Sequence, residues 1–265
     1  VAIVRIGNGE SQSDESTRDV SLDPEPTEPT EPTEPERLRV EVVQRHPHDT
    51  DAFTQGLLWH AGHLYESTGR RGRSELRKVE LATGRVLERR SLEPRLFGEG
   101  LARIADRLVQ LTWTSGEAHV WTLDGFEHRR RFRYEGEGWG LCYDGAHLVM
   151  SDGSSRLTFR DPETFEPRRA IRVTERGHPV RHLNELECVD GAVWANVWQT
   201  DRIVRIDPAS GRVTATVDAR GLLAPRERWR ADVLNGIAWV PERSRFVLTG
   251  KLWPHLFEVD LVPVE

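Results

Sequence analysis

Glu99 directly follows Phe97 and Gly98 and is followed by Gly100. A carboxylate flanked by two glycines is a poor core residue, because burying a charge without a partner is costly. It suits a group that must meet a ligand where backbones approach closely. The phrase recurs along the chain. Gln55-Gly56-Leu57, Glu99-Gly100-Leu101, Trp139-Gly140-Leu141, Glu185-Leu186-Glu187 and Asn235-Gly236-Ile237 have central residues 44, 40, 46 and 50 positions apart. Beside the first phrase lie Phe53, Gln55, Glu66 and Ser67, and beside the second Phe97, Glu99 and Trp113. The third brings Trp139 and Asp152, the fourth Asn184, Glu185 and Trp198, the fifth Asn235, Lys251 and Trp253. Indoles and phenyl rings around a few carboxylates, amides and one ammonium describe a box for a small polar ligand. Apolar walls would raise the pKa of an enclosed carboxylate and fit it for proton transfer. Taken singly, each tryptophan is better explained by packing between repeats. Glu99 is not.

These residues are useful together only if the chain brings them together. A strand-built repeat of ~40–50 residues is the signature of a propeller blade, and a propeller turns the first strand of every blade toward one channel. The first repeat shows the grammar: Gly56–Trp59 as a strand, His60–His63 as a turn, Leu64–Thr68 as a strand, then the alternating Glu75–Val79, a turn at Ala82-Thr83-Gly84, and Arg85–Arg89. The last repeat is one strand short, while Leu38–Val43 is an alternating strand without a blade of its own. The reading is therefore an all-β, five-bladed propeller over residues 38–265, its ring closed by the N-terminal strand in the last blade so that no sheet edge is left open. A helical turn is placed within Pro225–Asp232.

Residues 1–37 read differently. A Pro-Thr-Glu triplet repeats from Glu25 to Pro35, which favours an extended, charged and disordered tether. Residues 1–36 hold ten acids and two bases, so a chain of formal charge −6 leaves its remainder near +2. A nearly neutral body argues against a nucleic-acid partner or a polybasic membrane patch. No stretch reaches the ~20 apolar residues of a membrane span. A tether of this kind commonly links an export or anchoring signal to a folded domain. The expectation is an exported monomer (periplasmic, secreted or surface-tethered) whose signal is absent from this chain. Cys142 and Cys188 occupy equivalent slots in adjacent repeats and are read as two buried thiols, with an inter-blade disulfide as the alternative. His46 and His48 are read as solvated loop histidines.

In these same phrases the chain resembles the plant and bacterial type of glutaminyl-peptide cyclotransferase. The resemblance runs from Val40 to Pro254 and is carried by Phe53-Thr54-Gln55-Gly56-Leu57, Tyr65-Glu66-Ser67-Thr68-Gly69, Phe97-Gly98-Glu99-Gly100, Leu111-Thr112-Trp113, Gly138-Trp139-Gly140-Leu141, Ser151-Asp152-Gly153-Ser154, Leu183–Glu187, Ala195–Trp198, Leu234–Ala238 and Thr249–Pro254. It implies a five-bladed propeller that converts the N-terminal glutamine of peptides or proteins to pyroglutamate and releases ammonia. It also implies Glu99 as the catalytic carboxylate, with Phe53, Gln55, Phe97, Trp113, Trp139, Asn184, Trp198 and Lys251 lining the substrate pocket. Gln55, Asn184 and Lys251 are candidates to orient the side-chain carbonyl. The chemistry needs no cofactor and no covalent intermediate, since nucleophile and electrophile sit on one molecule; a structural cation in the channel is left open. Two other readings compete: a calcium-dependent, lactonase-like propeller hydrolase using Glu66, Glu99, Asp152, Asn184 and Glu185 as oxygen ligands, and a propeller that binds without chemistry.

Overall fold

The structure, a computed structural model, describes residues 34–264. The proposed tether falls almost wholly outside the described residues. The described part belongs to a single compact unit beginning at residue 32.

Strands account for nearly all regular structure. The chain opens with β1 (Glu36–Pro47). A four-stranded antiparallel meander follows: β2 (Thr54–His60), β3 (His63–Thr68), β4 (Glu75–Glu80) and β5 (Arg85–Ser91). A second comprises β6 (Gly98–Ile104), β7 (Arg107–Thr112), β8 (Glu117–Thr122) and β9 (His128–Arg133). A third comprises β10 (Leu141–Tyr143), β11 (Leu148–Ser151), β12 (Arg156–Arg160) and β13 (Pro167–Arg172). After the short pair β14 (Thr174–Glu175) and β15 (His178–Pro179) come β16 (Leu183–Val189), β17 (Ala192–Val197), β18 (Arg202–Ile206) and β19 (Val213–Asp218). One four-residue helix, α1 (Pro225–Arg228), precedes β20 (Leu234–Val240), β21 (Arg245–Gly250) and β22 (His255–Pro263).

β1 pairs antiparallel with β22 and so gives the last meander its fourth strand. It also pairs in parallel with β19 through Glu36–Arg39, which fuses the last two meanders into one eight-stranded sheet. That second pairing is absent from the sequence reading. It also extends the first strand back from Leu38 to Glu36, because the first residues of β1 find partners in Ala215 and Thr216.

The first three meanders grade from apolar to charged in strand order. β2 and β6 are buried along most of their length, whereas β5, β9 and β13 expose most of theirs. The first strands carry Gly, Leu and Ala and the last ones carry runs such as Arg129-Arg130-Arg131, so the hydrophobic effect alone orients the arrays with β2, β6, β10, β16 and β20 innermost. The glycine of each phrase permits the contact. A Cβ on Gly56 would lie 2.5 Å from the Leu101 nitrogen, one on Gly100 the same distance from the Leu141 nitrogen, and one on Gly140 would overlap the Asn184 carbonyl. Asn235 Nδ2 donates to the Thr54 carbonyl at 3.0 Å, which returns the fifth phrase to the first.

Cys142 and Cys188 are not free thiols: they form a disulfide joining β10 to β16, with Cα atoms 5.5 Å apart. Equivalent slots in adjacent arrays meet edge to edge, and at that separation two thiols can bond. The histidines also differ from expectation. His46 is 4% exposed in β1 and His48 is 9% exposed. His48 reaches the Trp253 carbonyl through Nδ1 and Glu66 through Nε2, so it fills a polar slot in the interior.

Candidate active site

The repeated phrases owe their chemistry to irregular pairing. In β2 the register passes from Thr54↔Thr68 to Gly56↔Ser67, leaving Gln55 without a partner. In β6 it jumps from Gly98↔Thr112 to Leu101↔Gln110, so Glu99 and Gly100 oppose Leu111 alone. β16 skips Asn184 and Glu185 in the same way, and β20 skips Asn235 and Gly236. An extra residue in one strand bends it and re-aims the unpaired side chain. Four inner strands thus carry a bulge at the position where sequence reasoning placed a functional group. Trp139 and Gly140 lie just ahead of β10.

Of those side chains, Gln55, Glu99 and Asn184 meet in one cavity of about 270 Å³. Phe53, Gln55, Phe97, Glu99, Trp113, Trp139, Asn184, Trp198 and Lys251 all line it. The aromatic walls form two groups: Phe53 packs edge-on to Phe97 at 6.1 Å and Phe97 to Trp113 at 5.6 Å, and separately Trp139 packs on Trp198 at 5.5 Å between ring centroids.

Glu99 is 5% exposed. Gln55 Nε2 donates to its Oε1 at 2.8 Å, and Asn235 Nδ2 holds the Gln55 Oε1 at 3.3 Å, which turns the Gln55 amide toward the carboxylate. Burial drives the Glu99 carboxyl well above the usual carboxylate range; Lys251 pulls it down and the charge of Glu137 adds to the rise. Lys251 is displaced the other way. Burial lowers its pKa against the opposing pull of Glu99 and Asp232, and its Nζ lies 5.0 Å from the centroid of the Phe53 ring. Asn184 is 2% exposed, and its Oδ1 is buried with no partner among the described residues. It is an unused acceptor just behind the cavity wall that Asn184 helps to form. An acid of raised pKa, an ammonium of lowered pKa and a free amide oxygen in and beside one apolar chamber can move a proton, support a developing oxyanion and hold an N–H group.

Other residues singled out in the sequence lie elsewhere. Glu66 accepts from Thr54 Oγ1 at 2.7 Å, contacts His48 at 3.0 Å and lies 3.8 Å from Arg77, so it belongs to a buried ion network behind the wall. Ser67 accepts from Gln110 Nε2. Asp152 holds Ser154 and Arg156. Glu185 is wholly buried and accepts the amides of Leu57 and Ile237, tying β16 to β2 and β20. Trp253 is 2% exposed and donates its indole N–H to the Asp232 carbonyl. Of the oxygen-ligand set of the hydrolase reading, only Glu99 and Asn184 share the cavity, while Glu66, Asp152 and Glu185 are engaged by their own neighbours outside it.

Sequence reasoning missed two groups. Asp232 lines the cavity from the segment before β20, outside any repeated phrase, and nothing in its local sequence marks it. Glu137 accepts both the Trp113 and Trp139 indole N–H groups on one oxygen, at 2.7 and 2.9 Å. It had a signal: Gly136-Glu137-Gly138 is the same tripeptide as Gly98-Glu99-Gly100.

Residues 18–261 match the family described as glutamine cyclotransferase. The glutaminyl-peptide cyclotransferase of Arabidopsis thaliana is 44% identical over 229 residues, covering 84% of this chain and 71% of the plant protein. The crystal structure of Myxococcus xanthus glutaminyl cyclase superposes with a TM-score of 0.80 at 43% identity, covering 88% of this chain and all of the other.

Proposed function

The chain belongs to the glutamine cyclotransferase family, and from that premise we propose that it converts N-terminal glutamine to pyroglutamate with Glu99 as the proton shuttle. The observation that carries the assignment of Glu99 is its position: an enclosed carboxylate oriented by Gln55, in an aromatic cavity with a buried lysine.

A free α-amine has a reference pKa of ~7.7–8.0, so much of it arrives as ammonium. The ionised Glu99 pairs with that ammonium and takes one proton. The freed amine attacks the side-chain amide carbon, and a carbon–nitrogen bond forms as the carbonyl becomes an oxyanion. Lys251 supports that charge. Glu99 gives its proton to the amide nitrogen, the old carbon–nitrogen bond breaks and ammonia leaves. The second proton of the attacking nitrogen passes to Glu99 as the lactam forms, and is lost to solvent before the next turnover. Asn184 Oδ1 accepts an N–H of the substrate and so fixes its approach. Gln55 gives one N–H to Glu99 and accepts one from Asn235 on its oxygen, so it orients the shuttle and keeps its second N–H for the substrate. Holding both reacting groups in a near-attack pose supplies much of the acceleration, and positioned proton transfer adds ~10²–10⁴-fold.

The arrays form a five-bladed propeller closed by β1, a reading supported by the cyclic order in which the phrases touch. A single chain lines the cavity, so a monomer suffices, and no cofactor enters the scheme. The Cys142–Cys188 disulfide fits an oxidising, exported setting. The test is mass spectrometry of a Gln-initial peptide incubated with the parent protein and with Glu99→Gln. Loss of one ammonia with the parent, cut at least ~100-fold in the variant, is the expected result. Parental turnover by Glu99→Gln would rule out the shuttle, and turnover of an N-acetylated glutamine peptide would indicate an amidase instead.

A further inference from the structure

The turn between β3 and β4 reads Gly69-Arg70-Arg71-Gly72-Arg73, and three consecutive residues of it rest on the cavity wall. Gly69 donates its amide to the Phe53 carbonyl at 2.8 Å, and a Cβ there would overlap the Phe97 ring. The Arg70 guanidinium lies 4.6 Å from the centroid of Phe53, and that of Arg71 lies 6.0 Å from Trp113. Phe53, Phe97 and Trp113 all line the cavity. The turn is braced as well as close: Arg73 N and Ser74 Oγ both donate to the Arg70 carbonyl at 2.9 Å, and Arg71 donates to the Arg95 carbonyl and to Thr114 Oγ1.

Two properties of this turn have no structural explanation. Arg70 adopts φ +82°, a left-handed conformation disfavoured for a non-glycine residue. Among the described residues, neither Arg70 nor Arg71 has a carboxylate within the 4.0 Å of an ion pair, although arginines elsewhere, such as Arg77, Arg107, Arg220 and Arg243, are paired. The acids at the cavity are otherwise engaged, Glu137 by two indoles and Asp232 by the amide of Val233.

We propose that Arg70 and Arg71 form a cationic lip that selects substrates carrying an acidic side chain immediately after the N-terminal glutamine. The inference rests on the ring-closure reading above. The chamber takes the glutamine, so the second residue leaves past Phe53 and Trp113, where the two guanidinium groups stand. Stacked on rings, they are already ordered and lose little further freedom on pairing with a carboxylate.

The experiment compares kcat/KM for Gln-Ala, Gln-Glu and Gln-Lys peptides of otherwise identical sequence. Exposed charge pairs are weak, so the Glu peptide should exceed the Lys peptide by about three- to tenfold at low ionic strength. The ratio should shrink as salt is added. Arg70→Ala should reduce the ratio, and the double charge reversal Arg70→Glu, Arg71→Glu should invert it, which a purely structural role for the turn would not do. A ratio near one in the parent, while Gln-Ala is cyclised, overturns the lip and leaves the ring-closure reading standing. So does an unchanged ratio in a folded double variant. If the parent cyclises none of the three, the ring-closure reading fails and the lip fails with it.

Discussion

At the residue scale the molecule hinges on a carboxyl group kept where it is reluctant to ionise. The Glu99 pKa is raised in the folded state, chiefly by burial, so the folded protein binds this proton more tightly than the unfolded chain does. By linkage, the stability associated with protonated Glu99 is fully present below the unfolded pKa of ~4.3 and is lost as pH rises through the elevated folded value. Glutamine mimics the protonated form and also accepts the Gln55 amide. Glu99→Gln should therefore match the parent in thermal unfolding at acidic pH and exceed it by roughly 2–4 °C at neutral to alkaline pH, the shift that ~1 kcal/mol produces in a domain of this size. A variant less stable than the parent at alkaline pH would contradict the buried-charge account. The same raised pKa sets an acid limb in the proposed reaction: kcat/KM should fall with decreasing pH at a midpoint above the ordinary glutamate range, because the shuttle must start ionised.

At the element scale, the β-bulges of β2, β6, β16 and β20 do what a regular strand cannot. In a strand, neighbouring side chains point to opposite faces, and a uniform ladder would send Glu99 and its counterparts into the packing between arrays. A bulge breaks that alternation at one point and lets the next glycine press against the adjoining inner strand. The tightest glycine contact between inner strands lies outside these bulges, just ahead of β10, where Gly140 meets the Asn184 carbonyl. Gly140→Ala must separate β10 from β16 or distort both. We expect it to cost at least ~2 kcal/mol in denaturant unfolding and to depress activity through Trp139 and Asn184, which flank the contact. Substitution at Gly62, where nothing lies within 4 Å of an added Cβ, serves as the control for backbone strain alone.

At the scale of the whole molecule, the inner strands are joined by links that span large sequence distances. Glu185 ties three of them, Asn196 Oδ1 accepts the Gly236 amide at 3.0 Å, and Glu187 accepts that of Trp239 at 2.8 Å. The disulfide adds a covalent link across 46 residues of sequence. Closing a loop of that length removes entropy from the unfolded chain equivalent to about 4 kcal/mol in the chain-entropy picture. Replacing both cysteines by serine should lower the unfolding free energy by about 2–4 kcal/mol while leaving kcat/KM for a Gln-initial peptide within about twofold, since neither sulfur lines the cavity. A larger loss of activity than of stability would mean that the β10–β16 contact positions Trp139 and Asn184 through the bond itself.

The nine residues that the resemblance implies for the pocket line one cavity, whereas Glu66, Ser67, Asp152, Glu185, Asn235 and Trp253, collected beside the same repeated phrases, do not; periodicity accounts for the shared part. A repeated phrase places equivalent residues at equivalent points of equivalent strands, so their convergence follows from the spacing whatever the intervening loops do. The gradient from apolar inner strands to arginine-rich outer ones is likewise written in composition. What the spacing could not supply was anything depending on neighbours from different repeats. Glu66 and Trp253 stand at phrase-like positions yet face away from the cavity, because His48 and the Asp232 carbonyl offer them partners there. Cys142 and Cys188 bond because two strands meet edge to edge, and Glu36 joins a strand because β19 lies open beside it. Asp232 lines the cavity and Glu137 and the Arg70–Arg71 turn brace its wall from loops, whose course is set by packing rather than by any repeat. Which residues share a strand position is a property of the linear chain; which of them find partners, and so what each is free to do, is decided only when the arrays close on one another.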